Sequence, residues 1–321
     1  MIIRRRESWG IIQYDTKMHR FLLEQYIEKD AVPYTNEPVL LNCELTFECN
    51  MCCKHCVSKD LREIIKDDLS LSNYLIDWIN KSPFMVIVIT GGEPLMEEYQ
   101  SQLLYLLNRI KNKGIIIDTN GTIIPRKEII NIIREKSVLV RVSWDSVRPQ
   151  DEICLRQRKK DSDSVNNEIF FEKIEIIKRF ISEKVNVAIQ SVLHKKNKNS
   201  IINIPQQLKK YSINKWYVQR FIPSYLVADQ KLYDIESTEY NYIINKLSKK
   251  STDFGIELIA KKDKRHNSVF LLGGKGLVYT QGSEPRQKIY LGNIKSDNIK
   301  YFDYVSSSDH SERYYDKKSN L

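Results

Sequence analysis

The chain has 321 residues, a formal net charge of +10, 29% charged residues and six cysteines, which is length enough for one large α/β domain with appendages. Five of the cysteines, Cys43, Cys49, Cys52, Cys53 and Cys56, fall in one short stretch, unlike the dispersed framework of a disulfide-stabilised secreted domain, and point to a metal in a reducing compartment. No apolar leader follows Met1 and no run approaches the roughly 20 apolar residues of a bilayer span, so a soluble cytoplasmic protein is expected; the diffuse positive charge favours acidic partners without forming a specific nucleic-acid motif.

A hairpin is expected over Trp9–Tyr14 and His19–Leu23, around Asp15 to Lys17, although the second run could equally open a helix. The first buried strand spans Val39 to Thr46. After the cysteines, Leu71, Tyr74, Leu75, Trp78 and Ile79 recur at helical spacing, and Phe84–Thr90 is a continuous apolar run of strand length. The alternation repeats. A helix carrying Tyr99, Leu103, Leu106, Leu107 and Ile110 leads to strand Ile115–Thr119, which stops at the Asn120-Gly121 turn signal. Strand Val138–Trp144, a helix with Phe170, Ile174, Ile177 and Ile181, strand Val185–Leu193, a helix over Ile201–Tyr211 and strand Trp216–Ile222 follow.

Six strands separated by helices predict right-handed crossovers and a parallel sheet curved into a partial (β/α)6 TIM-like barrel. Such folds place chemistry at the carboxyl ends of their strands, where the cysteines, Gly91-Gly92-Glu93-Pro94 and Thr119-Asn120-Gly121 all fall. The expected organisation is an N-terminal extension over 1–38, the barrel over 39–254 and a small α+β C-terminal domain over 255–321, with short strands Ile256–Ala260, Ser268–Leu272 and Gly276–Thr280 and a polar tail from Ser306.

Cys49, Cys53 and Cys56 are spaced by three and then two residues, so three thiolates on a four-iron cluster leave one iron open to another ligand. Zinc is the rival, using Cys49, Cys52, Cys53 and Cys56, or three of them with His55; structural zinc sites take their ligands from separated pairs, which the compact loop lacks. As Thr46-Phe47-Glu48-Cys49-Asn50-Met51-Cys52-Cys53-Lys54-His55-Cys56, the segment resembles the motif of the radical S-adenosylmethionine (radical SAM) superfamily, and the resemblance covers about Val39 to Ile222.

That resemblance implies a [4Fe-4S] cluster held by Cys49, Cys53 and Cys56, whose open iron chelates S-adenosyl-L-methionine and whose electron cleaves it to a 5'-deoxyadenosyl radical. Gly91, Gly92, Glu93 and Pro94 resemble the family's cofactor-binding turn, the glycines admitting the ligand and Glu93 offering a carboxylate to its ammonium. Ser143 and Asp145 resemble the family's strand-four motif, with Ser146 where a glycine is usual, and Asp151 and Arg156 resemble the Asp and Arg that follow it in peptide-modifying members, Arg156 pairing a carboxylate. Gln190 is a candidate polar contact to the cofactor, or else a buried glutamine satisfied by backbone. Cys154 is read as a rim thiol able to give a hydrogen atom to a substrate radical, or as an incidental free cysteine. Cys52 and Cys43 are bystanders, and His55 shields the cluster.

Gly276–Thr280 and Tyr290–Ile294 resemble the SPASM or twitch-type extension of peptide-modifying members, here without cysteines, so no second cluster with four thiolates is available. The expected function is therefore a radical SAM maturase of a ribosomally made peptide, introducing a cross-link, an epimerisation or a related change, with a flavodoxin or ferredoxin as reductant. A radical enzyme acting on a small metabolite or nucleotide, and a non-catalytic zinc-binding or scaffold protein, are the alternatives.

Overall fold

A computed structural model describes residues 1–25, 37–56, 68–159, 168–221, 230–260, 269–282, 288–296, 299 and 301. Expectations for Ile222, Ser268 and the tail from Ser306 lie outside these residues. The chain opens with a three-stranded antiparallel sheet, β1 (Ile2–Glu7), β2 (Gly10–Asp15) and β3 (Arg20–Gln25). The run after His19 is thus a strand, and the arginine-rich start supplies a third. Along β2, Gly10, Ile12 and Tyr14 are buried while Ile11, Gln13 and Asp15 are partly exposed, the two-residue period of a sheet with one covered face.

The strands β4 (Leu40–Thr46), β5 (Val86–Gly91), β6 (Gly114–Thr119), β7 (Leu139–Ser143), β8 (Asn186–Leu193), β9 (Lys215–Arg220) and β10 (Glu257–Ala260) pair parallel in chain order. Helices α1 (Asn73–Lys81), α2 (Gln100–Arg109), α3 (Lys127–Glu135), α4 (Pro149–Leu155), α5 (Glu168–Ser182), α6 (Ile204–Lys210) and α7 (Ser237–Asp253) fall between them. Alternate strand residues divide between two cores. Ile87, Ile89, Ile117, Val140, Val142, Ile189 and Val218 pack under the helices, while Val86, Val88, Ile116, Leu139, Ala188 and Tyr217 face inward against Trp9, Ile12 and Tyr14. Burial on both faces is why these strands read as continuous apolar runs.

β4 to β9 form the expected six-stranded parallel array. Glu257–Ala260 adds a seventh parallel strand to β9, whereas the short strands after it, β11 (Phe270–Gly273), β12 (Leu277–Gln281) and β13 (Lys288–Asn293), join the opposite edge through β4. One ten-stranded sheet therefore runs through both the barrel and the terminal segment. Tyr74, expected on the buried stripe of α1, is half exposed, and its hydroxyl donates to the Ile294 carbonyl at 2.5 Å. Among the described residues no helix is long and apolar enough to cross a membrane.

Candidate active site

The cysteine loop leaves β4 at a register irregularity between Glu44 and Thr46. Asp68 fixes the exit, accepting from Thr46 Oγ1 (2.7 Å), the Phe47 amide (3.1 Å) and Tyr99 Oη (2.9 Å). The loop is then held by a segment far along the chain. The Cys52 amide donates to the Gln157 carbonyl (2.6 Å), the Lys54 amide to Leu155 (2.9 Å) and the Lys159 amide to Asn50 (3.0 Å), so the residues after α4 lie against the cysteines like a partner strand. Cys52 Sγ donates to the Arg158 carbonyl at 3.1 Å and is occupied in that pairing.

Cys49 and Cys53 are buried and Cys56 half-buried, all as free thiols, and the three share one apolar patch with Met51 and Ile169. Burial pushes the Cys53 thiol up to about 12, against the pull of the Arg156 cation. A soft metal with high thiolate affinity offsets such a cost. Among the described residues no group of three His, Cys, Asp or Glu side chains is arranged to hold a metal ion. Three neighbouring thiols on one apolar patch are the soft donors an iron–sulfur cluster takes, and Cys49, Cys53 and Cys56 would hold a [4Fe-4S] group.

The Gly91-Gly92-Glu93-Pro94 turn lies directly beneath this loop. The Gly92 amide donates to the Thr46 carbonyl (2.5 Å) and the Glu93 amide to Glu48 (2.8 Å), and a Cβ on either glycine would overlap those carbonyls. The missing side chains make room for the cysteine loop's own backbone. Glu93 belongs to the same turn. It is fully buried, and its carboxylate accepts from Leu95 N (3.0 Å), Thr119 Oγ1 (2.8 Å) and Asn120 N (2.6 Å), tying this turn to the next one. Burial pushes its pKa up to about 7 although these donors pull it down. Asn120 extends the link, its Nδ2 lying 2.8 Å from Asn50 Oδ1 and 3.8 Å from Cys49 Sγ.

Asp145 and Arg156 come together, but with each other rather than at an open surface. Asp145 is fully buried. Its Oδ2 receives Arg156 Nε (2.8 Å) and His55 Nε2 (3.0 Å), and its Oδ1 receives the Val192 amide (2.8 Å). Against the raising effect of burial, Arg156 and His55 hold its carboxyl well below the usual range. Arg156 Nη1 lies 4.0 Å from Cys53 Sγ. Below them Glu152 accepts from the Asp145 and Ser146 amides (2.8 and 2.9 Å) and from Lys173 Nζ, itself fully buried with its pKa lowered by that burial.

Ser143, the last residue of β7, is paired in register with Gln190 in the middle of β8, and both are partly exposed between buried neighbours. Pro94 is buried. Asp151 is half-buried, its Oδ2 reached by Ser146 Oγ at 3.4 Å. Cys154 is exposed on α4, whose buried residues are Glu152 and Leu155. The sequence places Asn120 in a turn at the rim without giving its side chain a role, and gives no sign of the His55–Asp145 pair. Lys173 carries a readable signal, since it sits within the apolar stripe of α5 between Phe170 and Ile177. Glu152 carries one too, as an acid in the first turn after Pro149.

The Radical SAM superfamily profile matches residues 43–206, about half of the chain. An AdoMet-dependent heme synthase of Oleidesulfovibrio alaskensis is 31% identical over 103 residues, 31% of this chain and 26% of that protein, so the match spans about a quarter of the relative's length. Two solved structures share the fold. Streptococcus suis SuiB superposes with a TM-score of 0.65 at 12% identity, over 97% of this chain and 88% of that one. AdoMet-bound anSMEcpe gives 0.63 at 17%, over 86% and 83%.

Proposed function

Since the chain belongs to the radical SAM superfamily, we propose that it is an enzyme whose Cys49, Cys53 and Cys56 hold a [4Fe-4S] cluster and which modifies a ribosomally made peptide. The observation that carries the site is the packing of three free thiols on one patch directly above the 91–94 turn. Cluster and S-adenosyl-L-methionine together supply reductive sulfonium cleavage and hydrogen-atom abstraction.

This chain's residues divide the remaining work. The 155–159 segment and Asp68 fix the backbone path of the thiols. The 91–94 turn is locked to the 119–121 turn through Glu93, which makes a rigid floor for the cofactor. Ser143 and Gln190 are proposed as the side chains that reach it, since both are partly exposed at paired positions of adjacent strands. The buried charges at 145 and 156 act beneath the loop.

Two observations on relatives support a peptide substrate. SuiB has been solved bound to its precursor peptide SuiA, and anSMEcpe has been solved with AdoMet and a peptide. A small-molecule substrate is the second reading, favoured by the sequence match to the heme synthase. A low-potential flavodoxin or ferredoxin is proposed as reductant, and the clustered free thiols favour the reducing cytoplasm.

Anaerobically reconstituted protein with a strong reductant is expected to convert S-adenosyl-L-methionine to 5'-deoxyadenosine, and C49A, C53A and C56A variants are expected to abolish this. A colourless protein with stoichiometric zinc defeats the assignment. Mass spectrometry of a co-expressed peptide encoded beside the gene separates the substrates. Loss of two hydrogens marks a new bond, deuterium uptake from heavy water marks an inversion, and an unchanged peptide moves the reading to a metabolite.

A further inference from the structure

We propose that Arg156 and Asp145 act together as the electrostatic control of the cluster's reduction potential, with Arg156 favouring the reduced state and Asp145 restraining it. The inference rests on the assignment of Cys53 as a cluster ligand. Arg156 sends Nη1 to within 4.0 Å of Cys53 Sγ while Nε is held by Asp145 at 2.8 Å, so the guanidinium bridges thiolate and carboxylate. Both residues are buried, and screening by salt and water is weak there.

The four charges beneath the loop balance, Arg156 and Lys173 against Asp145 and Glu152. Within that balance the cation is the group that reaches the sulfur. Reduction adds one electron to the cluster, and a cation or N–H donor aimed at a ligand sulfur stabilises the more negative state and raises the potential. Asn120 Nδ2, 3.8 Å from Cys49 Sγ, supplies a second, uncharged donor on the other flank. Asp145 meanwhile has both oxygens engaged and no exposed surface, so its influence reaches the site through charge and through the placement of Arg156.

Opposite charge changes on the two partners separate this role from mere scaffolding. Full-length holoprotein is reconstituted anaerobically, its iron and sulfide are measured, and the reduced cluster is titrated against potential by electron paramagnetic resonance. Arg156→Gln leaves the network one charge more negative, and is expected to lower the ratio of reduced to oxidised cluster at the wild-type midpoint about tenfold, equivalent to about 59 mV for a one-electron couple. Asp145→Asn leaves it one charge more positive and is expected to move the midpoint the other way, while Arg156→Lys stays nearer to wild type. Shifts of the same sign, or none in iron-replete variants, overturn the proposal. Should Arg156→Gln lose its iron, Asp145→Asn decides alone, a positive shift supporting the proposal and no shift overturning it. Loss of iron from both makes the network a scaffold and also overturns it. Wild-type protein without a reducible cluster defeats the site assignment instead, and wild-type S-adenosyl-L-methionine cleavage with unshifted variants defeats this inference alone.

Discussion

The two ends of the barrel are both sealed by buried side chains, yet the seals differ in kind. At the floor, Trp9, Ile12 and Tyr14 close the amino ends of the strands, and Gly114 has no room for a Cβ against the Tyr14 ring. Charges there are paired locally, Lys215 also with the half-exposed Glu257 at 3.1 Å. Arg141 forms a two-pronged pair with Asp118 (2.6 and 2.8 Å), and Lys215 Nζ donates to the Met18 and His19 carbonyls (2.8 and 3.0 Å). At the rim the charges form a chain, Lys173 to Glu152 to Arg156, that ends at the Cys53 thiol. Apolar area stabilises the closed end, whereas the working end takes on charges that cost desolvation and must be fully paired.

Truncation at each end should expose that contrast. Trp9→Ala is expected to cost about 3–5 kcal/mol, read as a lower denaturant midpoint, while the folded protein still takes up its full complement of iron. Lys173→Met takes the lysine cation from the buried Glu152 carboxylate, leaving it Arg156 and two backbone amides, and is expected to cost about 3 kcal/mol, this time with iron uptake falling alongside the midpoint. Retention of full iron by Lys173→Met would erase the distinction between the two ends.

A pH series sharpens the floor. His19 lies between Tyr14 Oη (3.0 Å) and Asn186 Nδ2 (3.4 Å), and burial followed by Lys215 lowers its pKa to about 4. The unfolded chain binds a proton near pH 6.5 that the folded chain refuses until about 4, so this contribution to stability is present above 6.5 and is lost as pH falls through that window. His19→Gln is expected to flatten the slope of unfolding free energy between those limits and to leave the slope above them unchanged. The smallest effect concerns Cys154, exposed on its helix. Cys154→Ala should change stability by no more than about 0.5 kcal/mol, and product formation without loss of rate would remove it as a hydrogen-atom donor.

Periodicity made the strands from β4 to β9 legible, because each lies between helices and the inner core and must be apolar throughout. The spacing of the thiols and the 91–94 turn was legible because the chemistry resides in the local motif. Partner choice was not. Glu257–Ala260 is four residues long, and nothing within them says that they extend β9 rather than join the strands that follow. Asp145 and Arg156 stand beside a recognisable motif and read as contacts to a cofactor, whereas their enclosure depends on His55 and Val192, contributed by other parts of the chain. The glycines at 91 and 92 were read for what their absent side chains admit, and only three dimensions show the occupant to be Thr46 and Glu48 backbone.

The pairing of the cysteine loop with the segment after α4 has a temporal consequence. Cys52 and Arg158 are separated by 106 positions, and a ribosome delivers the thiols first. A nascent chain halted before Gln157 would present three reactive sulfurs with no seat for them, open to oxidation and to the wrong metal. Any metal these thiols take would therefore find its seat only after the downstream segment is made, when about half of the 321-residue chain has been synthesised.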